Sequence, residues 1–163
     1  MHDYKNVAIY YDAEKRLIGV PCGNPKVYDN HYSLLDIFFV LEPGYSDKEL
    51  GAFINKLFDA CFTKEAPSDE ATAIQKYTSA KDYKDAVKGY QIVEVEWKKD
   101  KGFRFIPMQV NNELGGIATD IKGVSVQARC YNKFVPIPNE SIVLAFKTAL
   151  EIIAGQETGE IFS

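Results

Sequence analysis

The stretch Gln91-Ile92-Val93-Glu94-Val95-Glu96-Trp97, then Lys99-Asp100-Lys101-Gly102, then Phe103 to Val110, decides the fold class. Val93, Val95 and Trp97 alternate with Glu94 and Glu96, the period-two pattern of an antiparallel strand with one apolar and one polar face. The Lys-Asp-Lys-Gly run turns the chain, and Phe103 to Val110 returns as the hairpin partner. Glu94 and Glu96 share a face about 7 Å apart, given a rise of about 3.3 Å per residue. Arg104 falls opposite them, so a cross-strand ion pair is the expected use of that face.

Working upstream, Val7 to Tyr11 and Arg16 to Cys22 read as a second hairpin about the turn Asp12 to Lys15, and Ser33 to Glu42 as one further strand stopped by Pro43-Gly44. Ser46 and Glu49 have capping-box spacing. Leu50, Phe53, Ile54, Leu57, Phe58, Cys61 and Phe62 then follow at helical spacing. A short polar helix is expected over Ser79 to Lys88. Downstream, Asn111 to Thr119 with Gly115-Gly116 reads as a mobile loop, and Val124 to Val135 as one or two strands. A last helix, about Glu140 to Ala154, turns Val143, Phe146, Leu150 and Ile153 inward and ends at Gly155. The expected architecture is α+β: one antiparallel or mixed sheet carrying two long helices, in two pseudo-repeated strand–helix halves at about 1–66 and 77–155. A loop at 65–76 joins them, and the tail 156–163 frays.

Composition sets bounds on function. The chain has 163 residues, 46% of them hydrophobic, with ten Tyr and ten Phe. That suffices for one packed domain without disulfide or metal staples. Nineteen basic residues against 23 acidic ones give a net charge of −4, which argues against nucleic acid as a direct partner. Glu42 to Glu70 holds seven acids and three bases, an excess equal to that of the whole chain. The N-terminus lacks an apolar signal core, and the longest apolar run, Ile37 to Leu41, is far short of the roughly 20 residues a membrane span needs. A cytoplasmic protein is expected. Cys22, Cys61 and Cys130 form no CxxC pair and read as buried thiols of a reducing compartment.

Catalytic constellations are sparse. His2 and His31 have no His or Cys at metal-ligand spacing, so no metal and no cofactor is expected, and no nucleophile elbow, phosphate loop or dinucleotide turn occurs. Three weaker enzymatic readings exist. Glu94 with Glu96 could perform acid–base work, Cys22 could be a nucleophile with His31 as base, and Tyr28, Tyr32 and Tyr45 could line a pocket.

The second half carries a resemblance. Tyr77-Thr78-Ser79-Ala80-Lys81-Asp82-Tyr83 leads into a hairpin reaching Ile106-Pro107, then an extended segment ending Val135-Pro136-Ile137-Pro138, then a helix from Asn139-Glu140-Ser141 with Phe146, Ala149 and Leu150. In this pattern the segment from Tyr77 to Ile153 resembles the immunity proteins of bacterial contact-dependent growth inhibition. In the first half only Ser46 to Gly51 fits; Leu50-Gly51 supplies the family's Leu-Gly pair, and Val143-Leu144 departs from it. The resemblance implies a non-enzymatic protein that binds and neutralises the C-terminal toxin domain of a cognate effector, commonly a nuclease and so often basic. It places no binding residues by motif. Physical inference selects the acids Asp69, Glu70, Glu94, Glu96, Glu113 and Asp120, with Tyr131 or Phe134 as aromatic anchor, and a free sheet edge as an alternative route. A monomer is the expected state. A small enzyme or ligand-binding domain and a generic interaction module are the competing readings.

Overall fold

The computed structural model describes residues 3–23, 33–64, 72–111, 115–118, 134 and 136–158. Within them the chain forms an antiparallel sheet with helices on both faces, an α+β arrangement. In chain order the elements are β1 (Tyr4–Tyr11), β2 (Leu17–Gly23), β3 (Ser33–Leu34), β4 (Phe39–Leu41), α1 (Asp47–Ala60), α2 (Ala73–Thr78), α3 (Tyr83–Ala86), β5 (Gln91–Lys98), β6 (Gly102–Asn111), β7 (Gly115–Ala118) and α4 (Ile142–Thr158). The sheet order is β3-β2-β1-β5-β6-β7, and β4 also pairs with β2.

The β1–β2 turn is built by Asp12, whose Oδ1 accepts from the N–H groups of Glu14 and Arg16, both at 2.9 Å. Lys15 closes it at φ 70°. The β5–β6 hairpin pairs Glu94 with Ile106, Glu96 with Arg104 and Trp97 with Phe103, the partnering its alternation predicts. β1 joins the hairpins by pairing with β5, with Ala8 opposite Glu94 and Asn6 opposite Glu96.

Two apolar layers follow from that arrangement. On one face Val7, Ile9, Leu17, Val93, Val95 and Phe105 pack against Leu50, Phe53, Ile54, Leu57 and Phe58 of α1 and against Ile142, Ala145, Phe146, Ala149 and Ile153 of α4. On the other, Ala8, Tyr10, Ile18, Val20 and Ile92 lie beneath Ala73 and Ile74 of α2 and Ala86 of α3. Every residue of β2 is buried, because a strand covered on both faces has no solvent side to alternate with. Gly19 is required by this packing: a Cβ there would stand 2.4 Å from Cδ1 of Leu57. The helix start on α1 is a complete capping box, Glu49 N–H to Ser46 Oγ and Ser46 N–H to Glu49 Oε1, each 3.1 Å.

The structure departs from the sequence expectations at several points. Ser33 to Glu42 is two short strands, not one. The interruption holds Asp36, whose carboxylate bonds Lys64 at 2.7 Å and Lys76 at 3.4 Å, and a chain that turns to place that charge cannot keep a strand ladder. A separate helix, α2, begins at Ala73 inside the expected loop 65–76, with a capping box from Thr72 and Gln75. The expected helix from Ser79 to Lys88 is reduced to α3, since Ser79 at φ 58° ends α2 and Asp82 restarts the chain as an N-cap. Gly115-Gly116 belong to β7, paired with Val110 and Asn111, instead of a mobile loop. α4 runs past Gly155 to Thr158, and its fully buried stripe includes Ile142, Ala145 and Ala149, while Val143 and Leu150 are half-buried. The strands expected over 124–135 lie outside the described residues, apart from Phe134.

Candidate partner-binding face

β5 directs Val93 and Val95 into the core beneath α1 and α4, so Glu94 and Glu96 emerge on the opposite face of the sheet. Sequence reasoning left them on a half-exposed surface, and the structure separates the two. Glu96 is only 5% exposed. Arg104 crosses from β6 and donates through Nε at 2.9 Å and Nη2 at 2.5 Å to the same carboxylate oxygen. This is the cross-strand ion pair foreseen from the alternation, but a sequestered one. The Arg104 guanidinium in turn lies 4.7 Å from the ring centre of Phe134, a stacked cation–π contact. Phe134 therefore lies against the cation of this ion pair, a contact that its apolar character alone does not disclose.

Further groups complete the network. The Asn6 side-chain amide donates to the Tyr4 hydroxyl at 3.3 Å. Burial, with the Glu96 charge adding to it, holds the Tyr4 phenol well above its usual range. Asn6 Oδ1 is buried with no hydrogen-bond partner among the described residues. Farther along β1, the hydroxyls of Tyr10 and Tyr83 meet at 3.4 Å, and burial raises both phenols.

Glu94 sits between these two polar groups, opposite Ala8 on β1 and Ile106 on β6. It is half-buried and makes no hydrogen bond or ion pair among the described residues. Burial raises its carboxyl pKa; the like charge of Glu96 adds to the rise and Arg104 opposes it. A carboxylate in this setting gains more from an incoming cation than a fully hydrated one does, because part of its desolvation cost has already been met in folding.

Asp69, Glu70, Glu113, Asp120 and Tyr131 lie outside the described residues, as do His31, Cys130, Tyr28 and Tyr32. Tyr45 is half-buried against the core beneath α1. Cys22 is fully buried, with Cys61 as its neighbour, and so does not present a nucleophile to solvent. Among the described residues no three His, Cys, Asp or Glu side chains gather as a metal set, and no helix is long and apolar enough to cross a membrane.

A second surface feature escaped the sequence reading. α1 and α4 flank a groove of about 560 Å³ lined by Gly51, Ala52, Asn55, Val143 and Leu144, with Leu144 49% exposed. Its rim is spanned by an ion pair between Lys147 and Asp47. Gly51 permits the close approach, since a Cβ there would lie 3.3 Å from Val143 Cγ2. Nothing local in the sequence shows which helix Gly51 faces.

No known family model and no curated protein matches this chain. Similarity appears among solved structures. One is a protein of unknown function from Neisseria meningitidis, with a TM-score of 0.61 over 91% of this chain and 94% of that one, at 13% identity. Another is a chain of the CdiA-CT/CdiI toxin and immunity complex from Yersinia pseudotuberculosis, with a TM-score of 0.56 over 92% and 97% respectively, at 11% identity. At these identities the likeness is one of fold, and this protein shares, nearly end to end, the fold of a chain from a toxin–immunity complex.

Proposed function

We propose that this chain is an immunity protein, which binds and neutralises the C-terminal toxin domain of a cognate contact-dependent growth inhibition effector. The observation that carries the reading is the near full-length fold likeness to a chain of the Yersinia toxin and immunity complex. Within such a pair, the acidic character of this chain (net charge −4) favours the inhibitor role, since an inhibitor of a basic nuclease must complement its cleft. Of the carboxylate pair that could perform acid–base work, Glu96 is buried and bonded to Arg104, which supports a structural use of that side chain.

On this reading Glu94 is the acid through which the sheet face engages a Lys or Arg of the toxin, with Arg104 and Phe134 shaping the rim. The protein acts without cofactor, in the cytoplasm, as a monomer forming a one-to-one complex with a basic toxin domain. Asp69, Glu70, Glu113, Asp120 and Tyr131 remain the other proposed contacts. The test is growth protection: cells producing the C-terminal toxin domain of a cognate effector should survive only when this protein is co-produced, and the two should co-elute. Glu94→Lys should weaken the complex at least tenfold and flatten its salt dependence. Neither protection nor a complex, with both proteins folded, would remove the immunity reading.

A further inference from the structure

Cys22 and Cys61, 39 positions apart in the chain, converge on one residue of the central strand. The backbone N–H of Asn6 donates to Cys22 Sγ at 3.3 Å, and the Cys61 thiol donates to the Asn6 carbonyl at 3.5 Å. The main chains also meet: Phe62 N–H donates to the Cys22 carbonyl at 2.9 Å. A disulfide needs α-carbons about 4.4–6.8 Å apart, and this main-chain bond brings the residue that follows Cys61 directly against Cys22. The pair is shielded, with Cys22 0% and Cys61 7% exposed. Cys61 nevertheless caps the C-terminal end of α1, and the next residue, Phe62, sits at φ 63°, a strained conformation for a non-glycine residue. Peroxide would have to reach the pair through local opening at this helix end.

We infer that Cys22 and Cys61 form a peroxide-sensitive thiol pair, an oxidative modification site that closes a disulfide between β2 and the end of α1. The neighbouring Cys22 thiol lowers the pKa of Cys61, with Lys5 adding a smaller effect, and the Cys61 thiol together with burial raises that of Cys22. Cys61 is thus the attacking group. Its thiolate attacks one peroxide oxygen; an S–O bond forms, the O–O bond breaks, and the departing hydroxide takes up a proton as water. Cys22 then attacks the sulfenic sulfur; the S–S bond forms, the S–O bond breaks, and the hydroxide leaves with the Cys22 proton as a second water. Two thiols lose two electrons and one peroxide becomes two waters. The staple encloses β3, β4 and α1, so it constrains the unfolded chain over that whole span.

The experiment treats the reduced full-length chain with hydrogen peroxide and reads intact mass, cross-linked peptides and thermal unfolding. The expected product has lost about 2 Da, yields one Cys22–Cys61 peptide pair, melts at least about 5 °C higher and reverts with a thiol reductant. Cys22→Ser should let a sulfenic acid accumulate on Cys61, trapped by dimedone. Cys130→Ser should leave the cross-link intact. A disulfide made chiefly through Cys130, stepwise oxygen addition at Cys22 or Cys61 without cross-linking, or two unreacted thiols in the folded protein would each overturn the inference.

Discussion

Replacing Gly19 by Ala tests the packing of β2 against α1 most directly. The added methyl would stand 2.4 Å and 2.7 Å from the two δ-carbons of Leu57 and 3.0 Å from its γ-carbon. Leu57 is 0% exposed, so its side chain has nowhere to swing. Crowding of this kind costs about 1–3 kcal/mol. The φ of Gly19 is not in the left-handed region, so alanine incurs no backbone strain. It also narrows the unfolded ensemble, which returns about 0.4–1 kcal/mol. The net expectation is a loss of about 1–2 kcal/mol. Leu57→Ala alone should cost about 3 kcal/mol from lost burial and the cavity left behind. In the double variant the alanine methyl enters the space that Leu57 vacates. Its loss should not exceed that of Leu57→Ala, giving a favourable coupling of about 1–2 kcal/mol. Urea unfolding of the four proteins at constant m-value measures this directly. A neutral Gly19→Ala, or a strictly additive cycle, would refute the claim that contact with Leu57 excludes every side chain at position 19.

The other predictions concern the polar sheet face and the helix start. Arg104→Ala strands the buried Glu96 carboxylate and should cost about 2–3 kcal/mol, tempered because Arg104 is itself partly exposed; Glu96→Gln with Arg104→Met should cost far less, both read by urea unfolding. Glu94 has a folded-state pKa raised above its unfolded value, so the stability it contributes is present below the unfolded pKa and lost as pH rises through the folded one. Glu94→Gln should therefore stabilise the protein at neutral pH, with the gain shrinking to nothing as pH falls below the unfolded carboxylate pKa; a gain independent of pH would dissociate it from ionisation. Ser46→Ala opens the α1 capping box and should lower stability by about 1 kcal/mol, seen as a lower urea midpoint.

What the sequence disclosed tracks how local the governing physics is. The β5–β6 hairpin and α1 were readable because alternation at Val93 and Val95, the turn at Asp100, and the Ser46–Glu49 spacing act over a few residues. The Thr72–Gln75 box that starts α2 is equally local, though it falls inside the loop expected at 65–76. The break at Asp36 was not readable, since its cause is two lysines 28 and 40 positions away. At the candidate face, the Glu96–Arg104 pairing followed from register, but the burial that sets Glu96 apart from Glu94 depends on neighbours brought in from β1 and from Phe134. The convergence of Cys22 and Cys61 on Asn6 likewise needed the assembled sheet.

The place of β1 has a kinetic consequence. Strand β1 lies in the middle of the sheet, where Tyr10 pairs with Ile18 on one side and with Ile92 on the other. Half of its main-chain ladder therefore waits for a partner about 80 residues downstream, and the loop-closure entropy of that wait falls on the central strand pair. Such high contact order slows folding, and no N-terminal fragment lacking β5 can complete its own sheet. Nascent chains should stay protease-sensitive until β5 has cleared the exit tunnel, then become resistant in a single step. The two hairpins thus mature together or not at all.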